Sequence, residues 1–340
     1  MKFISSFFLF AYPLQLALHI LLGKNKNFRS QFKYEREIFK FKDGGIIAID
    51  WIDEISKPND KRPILVVTPG LGGDFDTIYV VGTIYQALKQ GYCPVIISLR
   101  GTSGLKLSNS ILWCASSSND IKEPLEYIYN KYCLNEKKEK VRQIFYFGIS
   151  FSGNILAHYV GTKSQENTIL DGAAAICSPH RIWIVQETFY SNLWGMVEKY
   201  MLKKLKALYT QNTEVLRSHV LESLNIDLDK YLKEKNQCDD YNDLTAKLNG
   251  YKDKYEYYDK ASISRIVENI KVPMFFLNSL DDPVTGYKHI DYETFTSNPY
   301  ILLGITERGG HVSHFENIIT KEMWFPKPAL EFFNSFRKDL

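Results

Sequence analysis

Six short runs of apolar and β-branched residues recur along the chain: PILVVTPG (63–70), CPVIISLRG (93–101), QIFYFGIS (143–150), LDGAAAICSP (170–179), VPMFFLNSLDD (272–282) and YILLGITERGG (300–310). Stretches of helical length with charged faces, such as IYVVGTIYQALKQG (78–91) and NDIKEPLEYIYNKY (119–132), separate most of them. Strand and helix in alternation imply parallel crossovers, and uninterrupted apolar strands imply a sheet covered on both faces. The pattern predicts an open, doubly wound α/β fold. Ahead of it, REIFKFKDGGIIAIDWI (36–52) reads as a hairpin around Asp43-Gly44-Gly45, a tripeptide able to supply positive φ.

Two regions break the alternation. Between Pro179 and Val272 lie about 90 residues, far more than a crossover needs, so a helical cap is expected at about 180–265. Within it, FYSNLWGMVEKYMLKKLKALY places Leu193, Trp194, Val197, Tyr200, Met201, Leu205 and Leu208 at helical spacing, with Lys199, Lys203, Lys204 and Lys206 mainly opposite. A cap helix packed on the core is preferred over a membrane-surface helix. At the N-terminus, FISSFFLFAYPLQLALHILL (3–22) has about the length that spans a bilayer. Pro13, Gln15 and His19 interrupt it, but no small-residue cleavage site follows, so an anchor over 1–23 is preferred to a signal peptide. Lys24, Lys26, Arg29 and Lys33 then form a basic linker (24–35), leaving 36–340 as the main domain. That charge asymmetry leans toward a cytosolic domain.

Charge and cysteine content narrow the function classes. The 340 residues carry 42 Lys plus Arg against 39 Asp plus Glu, a net charge of +3, with no basic stripe, so a nucleic-acid partner is not expected. Five scattered cysteines without a C-x-x-C pair read as reduced thiols. No pair among His19, His158, His180, His219 and His289 has ligand spacing, so no metal is expected, and no loop carries a nucleotide motif, so no cofactor is expected.

FGISFSGN (147–154) lies one residue from G-x-S-x-G, with Ser152 where the second glycine is expected. An apolar strand precedes it and a helix starting at small residues follows, the layout of a nucleophile elbow. Ser150 is the preferred nucleophile; in the frame of Ser152 the glycine positions are Ser150 and Asn154. After PILVVTP, the loop Gly70-Leu71-Gly72-Gly73 offers an oxyanion amide, so the backbone N–H groups of Leu71 and Phe151 are the expected donors. Downstream, Asp281-Asp282 end one strand run and His311 ends the next, in the order serine, acid, histidine. Asp282 is preferred over Asp281, since adjacent strand-end residues point to different sides, and His311 over His314.

Seven stretches in order carry a resemblance: KDGGIIAIDW, TPGLGGDFDTIYV, GYCPVIISLRG, FGISFSGNILAHYVG, NGYKDKYEYYDKAS, IKVPMFFLNSLDDP and ERGGHVSHFE. The chain resembles the α/β-hydrolase type 4 family, which includes YheT-like hydrolases and eukaryotic membrane-anchored abhydrolase-domain proteins. The resemblance runs from about residue 35 to the C-terminus. It implies an α/β-hydrolase fold with a helical cap, a Ser150–Asp282–His311 triad, and hydrolysis of monoacylglycerol, phospholipid or medium-chain acyl esters. It also implies a single-pass protein of the endoplasmic reticulum or another endomembrane; relatives commonly face away from the cytosol, which leaves orientation open. Two departures stand out: Ser152 for glycine, and Pro69-Gly70 where many hydrolases carry His-Gly. Three readings follow: a serine ester hydrolase, preferred; an alcohol acyltransferase on the same triad; and an inert lipid-binding relative, motivated by Ser152.

Overall fold

A computed structural model describes residues 32–52, 60–163, 169–191, 195–317 and 322–338. The expected anchor (3–22), and Leu193 and Trp194 of the cap, lie outside them. Among the described residues no helix is long and apolar enough to cross a membrane.

One eight-stranded sheet organises the chain. Its strands are β1 (Tyr34–Lys40), β2 (Ile46–Ile52), β3 (Ile64–Thr68), β4 (Cys93–Ile97), β5 (Ile144–Ile149), β6 (Gly172–Ile176), β7 (Met274–Ser279) and β8 (Ile301–Thr306). Their spatial order is β1-β2-β4-β3-β5-β6-β7-β8. β1 and β2 form the antiparallel hairpin, β2 joins β4 antiparallel, and the pairs from β4 to β8 are parallel. Each predicted apolar run contains its strand. Alternation sends Ile64, Val66, Ile144 and Tyr146 to one core cluster and Leu65, Val67, Phe145 and Phe147 to the other, which is why these strands read as apolar throughout rather than alternating.

Among the described residues, five helices belong to the crossovers and the C-terminus: α1 (Ile78–Lys89), α2 (Asn119–Ile128), α3 (Phe151–Lys163), a short α10 (Tyr292–Ser297) and α11 (Pro326–Asn334). Between β6 and β7 run six more: α4 (Ile182–Ser191), α5 (Met196–Gln211), α6 (Thr213–Leu224), α7 (Leu228–Glu234), α8 (Cys238–Leu248) and α9 (Lys254–Ala261). On α5, Val197, Leu205 and Leu208 are buried as their spacing predicts, whereas Tyr200 is exposed. A two-stranded ribbon, β9 (Phe315–Asn317) with β10 (Glu322–Met323), follows β8.

The hairpin turn docks on a buried cation. Gly44 has φ +85°, and a Cβ on Gly45 would lie 1.7 Å from an Arg100 nitrogen. The Arg100 guanidinium, 2% exposed, bonds Asp120 at 2.6 Å and Asp43 at 2.7 Å and lies 3.9 Å from the Phe41 ring centroid. Removing one partner of a buried pair leaves charge uncompensated. Asp120→Ala is therefore expected to cost about 3 kcal/mol, read as a lower midpoint in denaturant unfolding at unchanged slope.

Candidate active site

β5 ends at Gly148-Ile149, Ser150 forms the turn, and α3 starts at the next residue, Phe151. Ser150 has φ +54°, a left-handed conformation that a non-glycine residue adopts only when its surroundings impose it. Crowding and hydrogen bonds do so here. A Cβ on Gly148 would come 2.8 Å from the Ser152 carbonyl, and one on Gly153 1.8 Å from Ser178 Oγ. The Ser150 N–H donates to the Ile176 carbonyl at 2.7 Å, and the Ser178 hydroxyl donates to the Ser150 carbonyl at 2.8 Å. The serine is thereby lifted out of the strand at the sheet's carboxyl edge, where open α/β sheets build their sites.

Ser152 does not disturb this turn. It is 2% exposed, and its hydroxyl donates to the Pro69 carbonyl at the end of β3. Gly70 approaches from that side, and a Cβ there would sit 3.1 Å from the Ser150 Cβ. The loop is braced by the Gly70 N–H to Tyr79 hydroxyl bond at 3.2 Å and the Gly73 N–H to Gly70 carbonyl bond at 2.9 Å. Leu71 and Phe151, the residues expected to present amides, line one cavity with Ser150.

Ser150 Oγ lies 2.8 Å from His311 Nε2, and His311 Nδ1 lies 2.8 Å from Asp282 Oδ2. With Nδ1–H donating to the carboxylate, Nε2 is left to accept from the serine hydroxyl. Asp282 is fully buried; its other oxygen accepts from the amides of Val284 at 2.8 Å and Thr285 at 3.0 Å. Burial pushes this carboxyl up, but His311 and the two amides outweigh it and hold it below the usual range. Asp281 faces elsewhere and accepts from the Gly310 N–H at 2.8 Å, bracing the loop before His311. Burial dominates there and pushes that carboxyl up.

His314 is fully buried, with Nε2 2.9 Å from Ser279 Oγ and 3.1 Å from Thr306 Oγ1. A Cβ on Gly309 would meet its ring at 2.2 Å, so His314 shapes the glycine loop from below instead of joining the serine. Cys177 lies within 4.8 Å of Asp282 and His311. Burial raises this thiol well above its ordinary value, and both ring nitrogens of His311 are engaged, so the set suits hydrogen bonding better than a cation. Two supports were not foreseen from sequence: Ser178, and Asn154, whose amide donates to the carbonyls of Pro179 and Ala261 at 3.0 Å each. Their positions just after β6 and inside α3 are the available signal, since both sit at the sheet's carboxyl edge.

Over Ser150 opens an apolar cavity of about 150 Å³, walled by Leu71, Trp113 and Phe151 from the main domain and by Phe189, Met201 and Tyr257 from the cap helices. The mostly parallel sheet, the left-handed serine at a strand-to-helix turn and the serine–imidazole–carboxylate chain together define an α/β hydrolase. No protein-family model matches the chain. It is similar to the phospholipase ABHD3 of Bos taurus, 26% identical over 291 residues that make up 84% of this chain and 67% of that one. It is also similar to the monoacylglycerol lipase of Saccharomyces cerevisiae, 25% identical over 292 residues, 83% of this chain and 61% of that one. Among solved structures, the esterase Pf2001 of Pyrococcus furiosus superposes with a TM-score of 0.57 at 15% identity, covering 92% of this chain and 96% of that one. The chain spans 67% and 61% of the length of the two relatives named.

Ser152→Gly removes a buried hydrogen bond and adds backbone freedom at a helix start, so a loss of about 1–2 kcal/mol in denaturant unfolding is expected, without a gain in turnover. Burial also lowers four histidines: His314 to about 3, His289 to about 4, His180 well below its ordinary value, and His158 below its own. Below pH 6.5 the unfolded chain binds protons at these sites that the folded chain refuses, so stability falls as pH drops. Denaturant titrations from pH 7 to pH 4 should show it, and His314→Gln should reduce the slope.

Proposed function

We propose that the protein is a serine ester hydrolase acting on lipid-like carboxylic esters through an acyl-enzyme on Ser150. The observation that carries this reading is the unbroken hydrogen-bond chain from Ser150 through His311 to Asp282 at the mouth of an apolar cavity. In the proposed reaction His311 Nε2 takes the hydroxyl proton as Ser150 Oγ attacks the ester carbonyl, and the oxyanion forms toward the amides of Leu71 and Phe151. The imidazolium, stabilised by Asp282, returns the proton to the leaving alcohol, leaving the acyl group on Oγ. Water activated by the same histidine then releases the acid and regenerates the serine.

The cavity's aromatic and aliphatic lining suits an acyl chain, and the lipase names of the sequence relatives support a lipid-like ester. Membrane attachment through the apolar run 3–22 fits such a substrate. A fluorophosphonate probe tests the assignment. Wild type should be labelled and Ser150→Ala not, while ester turnover falls by about 10⁴-fold in Ser150→Ala and in Asp282→Asn. Asp281→Asn should retain far more turnover than Asp282→Asn. Equal labelling of wild type and Ser150→Ala would sink the reading.

A further inference from the structure

One short segment at the end of β6 holds both halves of the proposed proton-transfer pair. The Ile176 carbonyl accepts from the Ser150 N–H at 2.7 Å, and the Ser178 hydroxyl donates to the Ser150 carbonyl at 2.8 Å. Between them, Cys177 reaches toward the histidine. Its sulfur accepts from the Val312 N–H at 3.4 Å and is placed to donate to the Gly310 carbonyl at 3.9 Å. Gly310 and Val312 flank His311, so one sulfur touches both peptide groups that meet at the histidine's Cα.

The backbone is strained on both sides of this contact. Cys177 has φ +52° and Val312 φ +50°. For a β-branched residue the left-handed region is a costly outlier, held only where the surroundings impose it. Cys177 is fully buried and anchored to β7, since its own N–H donates to the Leu277 carbonyl at 2.7 Å. A thiol can donate and accept at once, as these two contacts require. Burial raises this one well above its ordinary value, so it stays protonated and keeps both capacities. The other groups around the histidine are engaged elsewhere: the Gly310 N–H donates to Asp281 at 2.8 Å, and the Ser313 hydroxyl donates to the His311 carbonyl at 2.9 Å. The reaction proposed above consumes no thiol, so the sulfur's place against His311 calls for another account.

Resting on the hydrolase reading above, we propose that Cys177 is a positioning residue for that reaction. Its sulfur fixes the peptide groups on either side of His311, while its two chain neighbours hold Ser150. One residue thereby couples the two side chains across the 2.8 Å from Ser150 Oγ to His311 Nε2. Both proton transfers of acylation, from the serine and then to the leaving alcohol, need that nitrogen in line. An imidazole free to drift by a fraction of an ångström performs each less well. Esters of alkyl alcohols suffer twice, because their alkoxide needs the returned proton. Esters of p-nitrophenol suffer once, because that group leaves as a stable anion.

The test measures kcat/KM, which reports acylation of Ser150, for ethyl octanoate and p-nitrophenyl octanoate with the full chain. Rates are expressed per active site titrated to completion with a fluorophosphonate, which removes any loss due to unfolded protein. Cys177→Ala should lower the aryl ester about tenfold and the ethyl ester about threefold further. Cys177→Ser keeps a donor and an acceptor on a shorter bond, so it should lose less on both. A merely structural thiol changes the number of active sites but not the ratio of ethyl to aryl ester. A ratio in Cys177→Ala equal to that of wild type therefore overturns the proposal. So does a ratio that falls as far in Cys177→Ser as in Cys177→Ala, because the hydrogen bonds then do not matter. Should Cys177→Ala yield no folded protein, Cys177→Ser decides: a ratio below wild type upholds the proposal and an equal one overturns it. If wild type and Ser150→Ala treat both esters alike, the hydrolase reading itself fails. Ser150-dependent turnover with an unmoved ratio sinks this proposal alone.

Discussion

The left-handed conformation of Ser150 is the constraint on which the rest of the site depends. A serine at φ +54° gains nothing locally from that geometry and costs on the order of 1–3 kcal/mol, so the surrounding structure must over-determine it. It does so through contacts that leave no room for side chains at Gly148 and Gly153, and through bonds at both the N–H and the carbonyl of Ser150. The partners come from β6 and the loop after it, Ile176 and Ser178. The adjacent parallel strand thus holds the turn, and the order β5-β6-β7 also brings the Asp282 loop within reach.

The histidine arrives by a different route. His311 sits on a glycine loop after β8, at the far side of the sheet order, and must be carried back over β7 and β6 to reach Ser150. Asp281 and Asp282 share in holding it there, since one carboxylate fixes the Gly310 amide and the other meets the imidazole. Their opposite shifts follow from the same geometry. Asp282 faces a cation-forming ring and two amides, whereas Asp281 has burial as its dominant influence. His314 supports the loop from beneath by remaining neutral, and this makes the loop's anchoring sensitive to acid.

The central strands and the order of the site residues were legible in the sequence because they follow from local chemistry. Apolar runs of strand length, such as those holding Val66 and Phe147, need no tertiary information to be recognised, and a serine between small residues at a strand end announces a tight turn. That Asp282 meets the His311 ring while Asp281 meets the Gly310 amide accords with the expectation that neighbouring residues after a strand point different ways. The cap was visible only as excess length. Its division into short helices depends on packing, and Tyr200 shows the limit: helical spacing placed it with Leu205, yet it is exposed.

Ser152 marks where motif reading and physical reading part. Counted against G-x-S-x-G, it is a defect. In the folded chain its hydroxyl reaches the Pro69 carbonyl, two residues before Leu71, while its own position is one residue after Phe151. One buried hydrogen bond therefore spans the two segments proposed to hold the oxyanion. A glycine would leave their separation to backbone packing alone, whereas the serine ties it to a bond made between buried groups, where few competing waters can replace it. Proline at 69 complements this arrangement: its ring fixes φ, so the accepting carbonyl is presented by a stiff residue, and it stands where many hydrolases place a histidine. The two departures from the common pattern are thus two ends of one contact, and a change at either end is felt at both proposed oxyanion amides.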